Sequence, residues 1–127
     1  MKKAIYSSET PDPLGPYSAG VSFGNLIFTS GQIALDKNGK LTEGGIKEQT
    51  NKVLENLKSL LQENGSSLDN ALKATVFLKD MNDFAGMNEI FAQHFTDSKP
   101  ARSTVQVSRL PKDVLVAIDL IAYKSDI

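Results

Sequence analysis

The chain has 127 residues, with 14 basic and 15 acidic side chains, three tyrosines, six phenylalanines, one histidine and neither cysteine nor tryptophan. That length fits a single domain over residues 1–127, able to bury roughly two-thirds of its extended surface, and the missing cysteines exclude disulfides, thiolate metal sites and thiol nucleophiles. A net charge of −1 with scattered Lys and Arg offers no basic stripe for nucleic acid, 40% hydrophobic content opposes wholesale disorder, and no apolar run nears the ~18 residues of a membrane span.

Residues 1–6 read as a short strand, and the two lysines there have no apolar run behind them. The start is therefore not a secretory signal, and the expected location is the cytoplasm. Residues 7–16 form a loop, because Pro11, Pro13 and Pro16 forbid regular structure. Strands at 19–23 and 26–30 flank Gly24-Asn25, a two-residue hairpin signal. Residues 31–35 continue extended until Asp36-Lys37-Asn38-Gly39 turns the chain. A helix follows over 46–64, with Ile46, Val53, Leu54, Leu57, Leu60 and Leu61 on one face, Thr50 filling the stripe and Gly65 at the C-terminal cap.

A strand at 72–78 centres on Thr75, Val76 and Phe77. The second helix covers 83–95, with Phe84, Met87, Ile90, Phe91 and Phe95 at helical spacing, and Asp97-Ser98-Lys99-Pro100 ends it. Strands at 103–107 and 114–123 close the chain, joined by residues 109–113. The order β-β-β-α-β-α-β-β describes an α+β sandwich, one mixed sheet with both helices on one face. In the last strand Val114, Val116, Ile118, Leu120 and Ala122 line one side, while Leu115, Ala117, Asp119, Ile121 and Tyr123 line the other. Both sides are apolar apart from Asp119, so a second copy of the chain is the simplest cover for the face the helices leave bare, and a homo-oligomer is expected.

Dinucleotide-binding, Walker, zincin and nucleophile-elbow motifs are all absent. His94 reads as a helix-surface or interface residue, and no carboxylates cluster at metal-ligand spacing. Arg102 stands out: it follows Lys99-Pro100-Ala101, a rigid lead-in to a strand, and a guanidinium so placed can hold a carboxylate bidentately. The spacing equally allows an ion pair with Asp119 on an adjacent strand. Gly15-Pro16-Tyr17 fixes an aromatic hydroxyl on a short loop, where it either serves a site or lids the core edge. Ser30-Gly31 offers a backbone N–H to a ligand or, alternatively, marks a β-bulge.

Taken together, Gly15-Pro16-Tyr17-Ser18, Thr29-Ser30-Gly31-Gln32-Ile33, the run at 73–81 (KATVFLKDM), Pro100-Ala101-Arg102-Ser103 and the run at 109–114 (RLPKDV) resemble the RidA (YjgF) family of reactive intermediate deaminases over essentially the whole chain. The resemblance implies a chorismate-mutase-like sandwich assembled as a trimeric barrel, with sites in clefts between subunits. It implies hydrolysis of 2-imino acids such as 2-iminopropanoate and 2-iminobutanoate to 2-oxo acids and ammonia, without metal or organic cofactor. By that likeness Arg102 grips the substrate carboxylate and the Gly31 backbone helps hold it. Tyr17 sits near the imine nitrogen with Ser30 beside it, and Asn88 lines the cleft. The backbone carbonyl of Thr104, where many members have cysteine, helps place the attacking water.

One departure bears on the chemistry. Relatives commonly carry a water-positioning glutamate in the final strand, followed two residues later by a second acid; here these positions are Ala117 and Asp119, and Gln106 likewise replaces a common glutamate. Asp119 lies about 6.5–7 Å further along the strand, too far for its short side chain to stand in directly. The expectations are thus an imine deaminase or, because of Ala117, a non-catalytic binder of small 2-oxo acids that regulates a partner. The missing basic patch and histidine–carboxylate pair argue against the nuclease role also attached to this family.

Overall fold

The short apolar alternations become six strands and the two amphipathic stretches become helices in the computed structural model, which describes residues 1–125. Strands β1 (Lys3–Ile5), β2 (Gly20–Phe23) and β3 (Leu26–Thr29) lead to helix α1 (Ile46–Gln62). Then come β4 (Ala71–Leu78), α2 (Phe84–His94), β5 (Ala101–Gln106) and β6 (Val116–Tyr123). Gly24 has φ 59° while Asn25 keeps negative φ, the pattern of a II′ hairpin turn that matches strand twist. Helix α1 ends two residues before its expected limit. Gly65 at φ 83° lets the Ser66 N–H bond back to the Leu61 carbonyl, a Schellman closure.

The sheet order is β1-β2-β3-β6-β4-β5, antiparallel throughout except for the parallel β4–β5 pair. A parallel pair needs a crossover, and α2 supplies it. The sheet is therefore mixed, as expected, but β5 and β6 are not neighbours: β4 lies between them. The short 109–113 link does not make a hairpin, because Lys112 and Asp113 adopt positive φ in a single 3-10 turn that swings the chain past β4. Segment 31–35 is extended but joins the sheet only through the Gln32–Ile118 bridge.

Both helices cover one face of the sheet. Val53, Leu54, Leu57, Leu60 and Leu61 of α1 and Met87 and Phe91 of α2 share one core with Ile27, Ala74, Val76, Ile118 and Leu120 of the strands. Burying each such side chain contributes about 1.5–3 kcal/mol. Val116, Ile118, Leu120 and Ala122 face this core, whereas Val114 does not continue their row. It precedes β6 and packs in a second, smaller cluster with Leu110 and Ala117. On the opposite face Phe23, Phe28 and Tyr123 remain 59%, 42% and 42% exposed.

Candidate functional site

Arg102 is the second residue of β5, an edge strand, and pairs in register with Ala74, so its side chain leaves the sheet on the helix-covered side. Its guanidinium carbon lies 4.8 Å from the ring centroid of Phe91 and 5.6 Å from that of Phe84, both on α2. Two aromatic faces hold the cation without occupying its N–H donors. Burial pulls its pKa down from the ordinary value, yet an arginine stays protonated. Among the described residues the ion pairs are Lys47–Glu89 and Arg109–Asp113, so the charge of Arg102 is uncompensated.

The ion pair with Asp119 does not form. Asp119 is in register with Thr75 on the uncovered face of the sheet, whereas Arg102 points to the other face with β4 intervening. Burial raises the Asp119 pKa, and a hydrogen bond with Thr75 partly offsets this.

Arg102 shares a cleft of about 530 Å³ with Asn88, Phe91, Thr96, Lys99 and Pro100. Thr104, two residues along β5, shares the side of the sheet that Arg102 faces, and its Oγ1 is buried without a hydrogen-bond partner. The Val107 N–H bonds to the Leu78 carbonyl. By strand alternation residues 103 and 105 also turn their peptide groups toward β4, leaving the Thr104 N–H and C=O directed at the free edge. That carbonyl is therefore open to a water or a ligand.

Tyr17, Ser30 and Gly31 line a different cavity of about 80 Å³, together with Leu14, Ile33 and Pro111. No residue lines both cavities. Tyr17 is half exposed; its hydroxyl oxygen accepts the Leu14 N–H at 3.3 Å and its own N–H donates to the Gly15 carbonyl at 2.8 Å. The hydroxyl proton is left free to donate outward. Ser30 Oγ donates to the Ser18 carbonyl at 2.6 Å, which ties the Tyr17 loop to the end of β3. Gly31 is no bulge inside a strand: it follows β3, and a Cβ built there would meet nothing within 4 Å, so its backbone is open to close approach.

Ala117 is 6% exposed and packs with Leu110 and Val114 against Ile33, Phe77 and Val107. Ile33 also lines the Tyr17 cavity, so Ala117 belongs with the Tyr17 cavity rather than the Arg102 cleft. Gln106 Oε1 accepts the Met81 N–H at 2.7 Å and fastens β5 to the turn entering α2. His94 Nε2 lies 2.8 Å from Asn51 Oδ1, joining α2 to α1, and burial is the main cause that lowers its pKa.

Three contributors escaped the sequence reading. Phe84 and Phe91 were legible as helix-face residues seven apart, but only the fold turns them toward Arg102. Lys99 read as part of a helix stop and instead lines the Arg102 cleft.

These two cavities lie on a scaffold with many relatives. A family model described as Endoribonuclease L-PSP matches residues 7–124. The chain belongs to this family, also called RidA, YjgF or RutC. A RutC family protein of Pyrococcus horikoshii is 54% identical over 125 residues, covering 98% of this chain and 99% of the relative. Escherichia coli TdcF, whose name gives it as a proposed reactive intermediate deaminase, is 41% identical over 128 residues, covering 98% of this chain and 99% of its own. The crystal structure of TdcF with bound serine superposes with TM-score 0.91 at 41% identity, covering 97% of this chain and 99% of that one. A Thermotoga maritima structure described as a proposed endoribonuclease gives TM-score 0.94 at 43% identity, covering 99% and 100%. Members of the RidA family thus carry deaminase and nuclease names on one fold, and the α+β architecture of this chain, a mixed sheet with two helices, matches theirs.

Proposed function

We propose that this RidA-family chain hydrolyses small 2-imino acids, 2-iminopropanoate and 2-iminobutanoate among them, to 2-oxo acids and ammonia. The carrying observation is Arg102: a protonated guanidinium, held by Phe84 and Phe91, free of any carboxylate and facing a cleft beside Asn88. Such a group selects a carboxylate. In this reading the Tyr17–Gly31 half of one copy closes over the Arg102 half of another, within a homotrimer of chorismate-mutase-like sandwiches in the cytoplasm. The two separate cavities on one chain and the bare apolar sheet face support an assembly that brings unlike surfaces together.

The reaction adds water to the C=N carbon. A tetrahedral amino alcohol forms, the C–N bond breaks, and ammonia leaves as the C=O closes. Arg102 holds the substrate carboxylate, and the Gly31 backbone and Asn88 fix its orientation. The Thr104 carbonyl, at the free edge of β5, accepts a hydrogen bond from the attacking water. Tyr17 donates its free proton toward the departing nitrogen. Positioning supplies much of the rate here, since imines already hydrolyse in water.

The test generates the imines in situ with an amino-acid oxidase or a dehydratase and measures 2-oxo acid and ammonia with and without the protein. Acceleration should occur and should fall at least 100-fold in Arg102→Ala, the range lost with a group that holds the reacting geometry. Full activity in that variant would overturn the assignment. A second reading has one specific support: Ala117 sits in an apolar cluster with no carboxylate to order water. It makes the chain a binder of small 2-oxo acids that regulates a partner, and calorimetric binding without imine hydrolysis would favour it.

A further inference from the structure

We propose that the Arg102 cleft is built for acids with two carboxylates, and that Lys99 reads the second. The proposal rests on the cleft being the substrate site and specifies which 2-imino and 2-oxo acids it takes. Lys99 and Arg102 line the same cleft, and no Asp or Glu lines it with them. Neither cation belongs to the ion pairs among the described residues. Lys99 is not loosely placed: its Nζ donates to the Thr96 carbonyl at 2.8 Å, which steadies the ammonium just past the end of α2. An ammonium has three donors, so two remain for a ligand.

Two cations on the walls of one cleft suit a short diacid. Lys99 lies two residues before β5 and Arg102 is the second residue of that strand. Both long side chains line one cleft, and Pro100 between them restricts the backbone that carries them. A four- or five-carbon 2-oxo diacid bridges two such cations. A cleft of about 530 Å³ has room for a four- or five-carbon diacid. Phe91 and Phe95, buried and tilted at 30° with centroids 4.5 Å apart, give the cleft an apolar wall for the connecting carbons. The walls this half gives the site carry two positive charges and no negative one, Asp12 lining the other cavity, and so favour a dianion over a monoanion.

Calorimetry on the full chain at low salt tests this with 2-oxoglutarate and oxaloacetate against 2-oxobutanoate. The diacids should bind about fivefold or more tightly, the ratio should fall to near one in Lys99→Ala, and Lys99→Arg should restore it. The same ratio should appear in kcat/KM for imines derived from aspartate against those from 2-aminobutanoate. Equal affinity for both classes, or a diacid preference that survives in Lys99→Ala, overturns the Lys99 assignment while leaving the deaminase reading in place. Loss of all binding and all hydrolysis in the unaltered protein overturns both. Lys99 is exposed, so its variants keep the fold.

Discussion

In the proposed deaminase Arg102 has to satisfy two demands that usually conflict. A substrate anchor must be held still, and the commonest way to hold a guanidinium, a carboxylate partner, would cancel the charge the substrate needs. Phe84 and Phe91 hold it by their ring faces instead, leaving its donor edge free. The opposite economy applies at Ala117, where a small apolar side chain completes the cluster of Leu110, Val114, Ile33, Phe77 and Val107. Placing a carboxylate there tests whether water positioning limits the rate. In Ala117→Glu, kcat for imine hydrolysis should rise by about tenfold or more, since a positioned base typically supplies 10²–10⁴-fold. Stability should drop by about 1–3 kcal/mol, because the new charge enters a nearly closed apolar cluster. Stopped-flow or coupled assays and urea denaturation measure the two effects together. An unchanged kcat in a folded variant would mean that groups such as the Thr104 carbonyl place the water unaided.

Helix α1 does more than cover the sheet. Asn56 is buried and its Nδ2 donates to the carbonyls of Leu35 at 2.9 Å and Ile33 at 3.3 Å, while Gln49 Oε1 accepts the Leu115 N–H at 2.9 Å. These two side chains pin the extended segment after Gly31, which borders the Tyr17 cavity, and the approach to β6. Asn56→Ala should destabilise the chain by about 2–3 kcal/mol, since it strands buried carbonyls. It should also weaken 2-oxo acid binding several-fold by loosening the Gly31 backbone. Denaturation and calorimetry would show both, and a loss of stability with unchanged affinity would sever α1 from the site. The helices and strands themselves were legible, since the apolar stripe of α1 and the alternation of β6 are local periodicities. The insertion of β4 between β5 and β6 was not. A five-residue link normally implies neighbours, and the left-handed φ of Lys112 and Asp113 that redirects it leaves no mark in hydrophobic pattern. For the same reason the candidate residues were readable while their division between two cavities was not. Which side of the sheet each side chain takes depends on strand order and register.

Across the whole molecule the two sheet faces differ in what they bury, and Asp119 lies where that difference matters. It sits on the uncovered face in register with Thr75, on the side that also bears Ile121 and Phe77, and burial is the larger cause that raises its pKa above 3.8. A raised carboxyl pKa means that the folded chain binds more protons than the unfolded chain between 3.8 and the folded value. Stability therefore falls as pH rises through that window, and the cost of holding the charged form stays in full at neutral pH. Asparagine keeps a hydrogen-bonding group opposite Thr75 and cannot ionise. Asp119→Asn should accordingly melt higher than the unaltered chain at pH 7, and the difference should vanish as pH drops below 3.8. If a further copy covers this face, burial of Asp119 deepens and the stabilisation grows with protein concentration, because association is linked to the neutral form. Calorimetric melting at several pH values and sedimentation across a dilution series read these two effects separately. A variant that melts no higher at pH 7 would show that the hydrogen bond with Thr75 compensates the desolvation. A concentration-independent gain would place the whole cost within the single chain.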